Sequence, residues 1–122
     1  MTDLDQAHAA MEAAPNDDAK RLQFYERLAD TELFMLLGAE ADGDKITPEL
    51  FDIEDQQFAL IFDREDRLAQ FVGREAPYAG LSGRVLCDML VRQNIGFALN
   101  LDVAPSAMLI PAEAVDWLHA TL

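Results

Sequence analysis

The chain has 122 residues, with 23 acidic side chains against nine Lys and Arg, a formal net charge of −14. A surface that acidic argues against nucleic acid, whose phosphates need basic contacts, and against an anionic membrane face. At 51% apolar the chain is neither disordered nor fibrous, and its length suits one domain with a real core. No apolar run approaches a bilayer span, and the acidic amino end (Asp3, Asp5, Glu12) has none of the basic start of a secretory signal. The single Cys87 leaves no internal disulfide and fits a reducing compartment, so the expected location is cytoplasmic. The acidity favours solubility, or in a sharper reading a basic protein partner.

Taken in order, Met1 to Ala14 read as a helix opened by Thr2 or Asp3, with Leu4, Ala7, His8 and Met11 on one stripe. That stripe is narrow and mostly alanine-sized, which predicts the least firmly attached element. Pro15 breaks it, and Asp17-Asp18 suit the start of a second helix running to about Ala29. Leu22, Tyr25, Leu28 and Ala29 are expected inward, leaving Phe24 for another element or a partner. The two helices read as an extension (residues 1–31) to an α/β domain (residues 32–122). They are also the expected face for a protein partner or weak homo-oligomer.

Glu32 to Leu37 read as a strand ended by Gly38, followed by a polar loop to Pro48 with a turn at Asp42-Gly43. Leu50 to Ile53 alternate as a short strand, and Glu54-Asp55 turn it into an antiparallel hairpin with Phe58 to Phe62. That second run is uninterruptedly apolar, as expected of a central strand covered on both sides, with Leu60 and Phe62 nearly inaccessible. Asp63 is placed to cap the next helix, with Asp66 completing a capping box and Leu68, Phe71 and Val72 facing the core. Gly73 to Leu81 read as an irregular link. Ser82 then caps a helix whose expected core face is Val85, Leu86, Met89 and Leu90. Gly96 to Leu101 and Met108 to Ile110 read as strands, and a last helix after Pro111 is expected to bury Val115 with Trp117 or Leu118. The sum is an α/β (α+β) single domain, a mixed sheet with helices on its faces and a two-helix amino-terminal extension.

Candidate chemistry is sparse. The acidic loop is no EF-hand: counted from Asp42, the fifth, sixth and twelfth places hold Ile46, Thr47 and Ile53. Gly80-Leu81-Ser82-Gly83 opens like a nucleophile elbow, yet Arg84 stands where the last glycine belongs. Ser82 is better read as a helix cap. Cys87 has no neighbouring thiol or histidine in sequence, and His8 and His119 have no ligand spacing, so neither a metal nor a cofactor is expected. The remaining candidate is the helix start formed by Gly80, Ser82, Gly83 and Arg84, with Tyr78 upstream and Asn100 ending a neighbouring strand. Free N–H groups and the helix dipole favour a small anion there.

Five strings in this order resemble the amino-terminal domain of the SseB family, bacterial proteins named for enhanced serine sensitivity. They are LFMLLG (from Leu33), FALIFDREDRLAQF (from Phe58), YAGLSGRVL (from Tyr78), GFALNLD (from Gly96) and LIPAEAVDWL (from Leu109). The resemblance implies a non-enzymatic interaction or regulatory module of the bacterial cytoplasm, tied by the family's name to serine or sulfur amino-acid metabolism. It carries over no catalytic residues.

Overall fold

The computed structural model describes residues 2–38 and 46–121. The turn expected at Asp42-Gly43, and the loop acids Asp42 and Asp44, lie outside the described residues. Everything is built around β3 (Gln56–Phe62), whose last five residues are all buried. One edge of it pairs in parallel with β5 (Ile95–Leu99), from Gln57 against Ile95 to Ile61 against Leu99. Two elements share its other edge. β2 (Leu50–Ile53) lies antiparallel to its first half, and β1 (Glu32–Leu36) meets its second half at Phe62 and Ile61. β4 (Tyr78–Ser82) adds outside β1 and β6 (Met108–Ile110) outside β5, giving a mixed six-stranded sheet.

The hairpin from β2 to β3 turns on Glu54 and Asp55, both with positive φ (52° and 67°). A two-residue turn with both centres left-handed matches the right-handed twist of its strands, and it is built here without glycine. β4 corrects the expectation of an irregular link. Its five residues pair in register with β1, from Tyr78 against Leu36 to Ser82 against Glu32. The pairing comes from β1; Ala79, Gly80 and Ser82 give β4 no apolar alternation of its own.

Period-two alternation separates two cores. Leu33, Met35, Ile61, Phe97 and Leu99 face one way, under α1 (Asp3–Ala13), α2 (Asp18–Asp30), α4 (Gly83–Leu90) and α5 (Ala112–Thr121). Leu36, Phe58, Leu60, Phe62 and Ala98 face the other way, against Leu68 of α3 (Glu65–Val72). Leu60 and Phe62 are buried, as the apolar run predicts.

Helical faces differ from the sequence reading in α2 and α4, and α5 takes one of the two alternatives that the sequence left open. In α2 the inward residues are Phe24, Leu28 and Ala29; Phe24 is fully buried edge-on to His8 of α1, and Leu22 is exposed. In α4, Gly83, Leu86, Cys87 and Leu90 turn inward at spacings of three, four and seven, while Val85 is exposed. In α5, Val115 and Leu118 are buried and Trp117 is 47% exposed.

Two glycines let backbones approach closely. A Cβ on Gly83 would overlap the Leu28 carbonyl, so α4 and α2 touch only because position 83 is bare. A Cβ on Gly96 would collide with the Ile110 carbonyl and the Phe58 ring.

Candidate functional site

The segment from Tyr78 to Arg84 holds together as predicted in one respect, since the Ser82 hydroxyl accepts from the Val85 N–H at 3.2 Å and caps α4. Two further groups on which an anion would draw have protein partners. The Gly83 N–H donates to the Thr31 carbonyl at 3.0 Å, and Arg84 Nη2 lies 2.9 Å from Asp30 Oδ1. Gly80 lies against the Phe34 ring, and Tyr78 stacks edge-on to that ring at 5.8 Å while its hydroxyl donates to Glu65 at 2.6 Å. Asn100 is not brought to this group. It ends β5, and β3 and β1 lie between it and β4.

Asn100 belongs to a buried polar cluster at the carboxyl ends of the parallel pair β3 and β5, the place where open α/β sheets commonly hold ligands. Here protein side chains fill it. Asn100 Nδ2 donates to Ser106 Oγ at 2.9 Å, and Ser106 Oγ donates to Asp5 Oδ1 at 2.5 Å. Arg67 reaches Asp5 Oδ2 at 2.6 Å and Asp63 Oδ1 at 2.7 Å, and both carboxylate side chains are wholly buried. Thr2 closes the cluster, its hydroxyl donating to Asp63 Oδ2 at 2.5 Å and its N–H to Asp5 Oδ2 at 3.0 Å. Burial pushes the Asp5 carboxyl up, but hydrogen bonds from Arg67, Ser106 and Thr2 outweigh it and hold the group well below the usual carboxylate range. The bond to Asp5 also leads the rise in Arg67.

This cluster corrects two expectations. Asp63 does not cap α3: Arg64 occupies that position without a side-chain cap bond, because Arg67 and Thr2 engage the Asp63 carboxylate. Asp66 pairs with Arg64 instead, and the capping box lies at Thr2 and Asp5. Nor is α1 lightly held, since Leu4 is 1% exposed and Asp5 is locked across the sheet end. The spacings were visible in sequence as Thr-x-x-Asp at Thr2 and an i, i+4 pair at Asp63 and Arg67. The joining of Asp5 to Arg67 was not.

The reactive side chains also have structural settings. Burial, then the neighbouring Asp88 charge, push the Cys87 thiol up to about 11. His119 Nδ1 sits 2.6 Å from Asp88 Oδ1. Among the described residues no group of His, Cys, Asp or Glu is placed to hold a metal ion, and no helix is long and apolar enough to cross a membrane.

On the outer side of the helical layer, α2 and α5 leave a groove lined by Asp18, Arg21, Leu22, Tyr25, Ala114 and Trp117. Leu22 and Tyr25 follow Asp18 at helical spacing and face Ala114 and Trp117, with the Tyr25 and Trp117 rings edge-on at 6.0 Å. Leu22 is 39% exposed beside the half-exposed Trp117. The periodicity of α2 assigned Leu22 inward, so this surface was misread as core.

Sheet and helices together define a single α+β domain on a mixed six-stranded sheet, with two helices preceding the first strand. Within that class, residues 4–117 match the SseB protein N-terminal domain, and the chain belongs to that family. The matched span takes in α2 and all of α1 after Asp3. No curated protein and no solved structure matches the chain.

Proposed function

We propose that this domain is a non-enzymatic interaction module that docks a basic amphipathic helix of a protein partner in the groove between α2 and α5. The observation that carries the reading is the exposed pair Leu22 and Trp117, which share one groove with the half-buried Tyr25 and with Arg21. Trp, Tyr and Arg are the side chains that most often dominate binding energy, and here they line one groove. A groove lined by side chains of two helices suits an amphipathic helix with anchors at i, i+3 or i+4, and i+7. Charge selects the partner's flanks: Asp18 and Arg21 pair with each other in the groove at 3.1 Å, so the preference for a basic helix comes from the −14 of the chain as a whole. A non-enzymatic role is further supported by the settings of Ser82, Cys87 and Asp5, which cap, pack and pair.

Trp117 is the single tryptophan in the sequence, so its emission reads the groove directly. The test titrates the protein with a synthetic helix bearing a leucine face and lysines elsewhere, and with its glutamate counterpart. The lysine helix should shift the emission, the glutamate helix should not, and Leu22→Asp should abolish the response. An equal response from Leu22→Asp would overturn the proposal.

A further inference from the structure

The outer edge of β4 presents a different chemistry from the α2–α5 groove, the end strand of the sheet with backbone groups turned outward. Leu37 donates its N–H to the Pro77 carbonyl at 2.9 Å, and Gly83 donates to Thr31 at 3.0 Å. Antiparallel ladders alternate, so Ala79 and Leu81 turn their backbone groups toward β1 while Tyr78, Gly80 and Ser82 turn theirs outward. Ser82 commits its carbonyl to the first turn of α4, leaving its N–H. Among the described residues no strand pairs with this edge. It also lacks the usual devices that blunt an edge: β4 carries no charge and no proline, and its centre is Gly80.

Next to the start of this edge lies an open cavity of about 930 Å³, lined by Glu65, Asp66, Leu68, Arg74, Glu75 and Tyr78 among others. Its three carboxylates meet one guanidinium in the lining, Arg74, and a second, Arg64, that is held on Asp66. Glu32 adds a further carboxylate close to Gly80, on the face that Tyr78 and Phe34 floor.

We infer that β4 receives an extended basic segment of a protein partner, which pairs its main chain with Tyr78, Gly80 and Ser82. A Lys or Arg side chain of that segment enters the cavity at Glu65 and Glu75. Strand addition draws affinity from main-chain hydrogen bonds and specificity from pockets for alternate side chains, and both parts are present along this edge. The net charge of −14 disfavours a second copy as the added strand and favours a cationic one. The residues that suggested an anion site in the sequence thus offer a partner their backbone.

The probe is a short peptide of alternating valine and lysine, together with the same peptide N-methylated at the residues that would face β4. Amide spectra of the whole chain should show Tyr78, Gly80 and Ser82 shifting and gaining protection from exchange. N-methylation should weaken binding roughly tenfold or more, as expected from the loss of two or more hydrogen bonds. Glu75→Gln should weaken the lysine peptide and leave a valine-serine peptide unaffected. Leu22→Asp should leave this binding intact and the Trp117 indole should not move, so this site and the α2–α5 groove stand or fall separately. Equal binding of the N-methylated peptide, or shifts confined to other regions, would overturn the inference.

Discussion

Arg67 is the residue on which the sheet end depends. It satisfies two wholly buried carboxylates, one from α1 and one from the end of β3. Removing one partner of such a cluster strands buried charge, which is more damaging than the net worth of the pairs. Arg67→Met should therefore lower stability by about 3–5 kcal/mol, read from the urea midpoint. Arg67→Lys should recover only part of this, because a single ammonium cannot reproduce the fork that spans Asp5 and Asp63. A midpoint within about 1 kcal/mol of wild type would show that the cluster contributes little.

Asp5 also fixes a pH dependence. Its carboxyl is held below its unfolded value, so the folded chain binds fewer protons than the unfolded one through that range. The stability this confers is fully present above about pH 4 and is lost as pH falls from there toward the folded-state value. Asp5→Asn should flatten the acid limb of a stability profile and lower stability at neutral pH. An unchanged slope below about pH 4 would contradict the assignment. None of this cluster's long-range part was legible in the sequence. Local spacing exposes a capping box or an i, i+4 pair, but nothing local says that Asp5 and Arg67, 62 positions apart, will meet.

At the scale of elements, α1 behaves as part of the core. Leu4 is 1% exposed and packs with Phe24, Leu28 and Leu33. Deleting residues 2–13 should abolish cooperative unfolding or lower the midpoint sharply, since it opens that core and leaves Arg67 and Asp63 without Asp5 and Thr2. A truncated chain with a near-native melt would refute this. The narrow stripe misled because it counted apolar side chains and could not weigh a buried carboxylate.

The turn of the β2–β3 hairpin offers the opposite test. Glu54 and Asp55 hold left-handed backbone that Asn-Gly adopts more readily. Glu54→Asn with Asp55→Gly should raise stability by about 0.5–2 kcal/mol, and a lowered urea midpoint would argue against this turn geometry. This hairpin and the central strand were legible because β3 is an apolar run and its turn is two residues long. β4 was not, because an edge strand with a glycine centre takes its order from its neighbour.

For the whole molecule, the two sheet faces are covered unequally, four helices on one and α3 on the other. The helical layer is closed underneath by Phe24, Leu28, Leu86 and Val115, all nearly inaccessible. Above them it leaves Leu22 and Trp117 exposed, with Tyr25 half-buried beside Trp117. Sequence periodicity cannot make that distinction, because both sets are apolar and only packing decides which of them water reaches. The proposed docking groove is formed by that outward set. The most direct test is site-specific photo-crosslinking in the organism of origin, with the reactive group at Leu22 and a control at the exposed Gln70 of α3. One predominant adduct is expected from Leu22, joined through a segment that reads as a basic amphipathic helix and that binds the purified wild-type chain but not Trp117→Ala. Adducts of equal abundance and identity from Gln70, or a crosslinked segment without basic amphipathic character, would contradict the proposal.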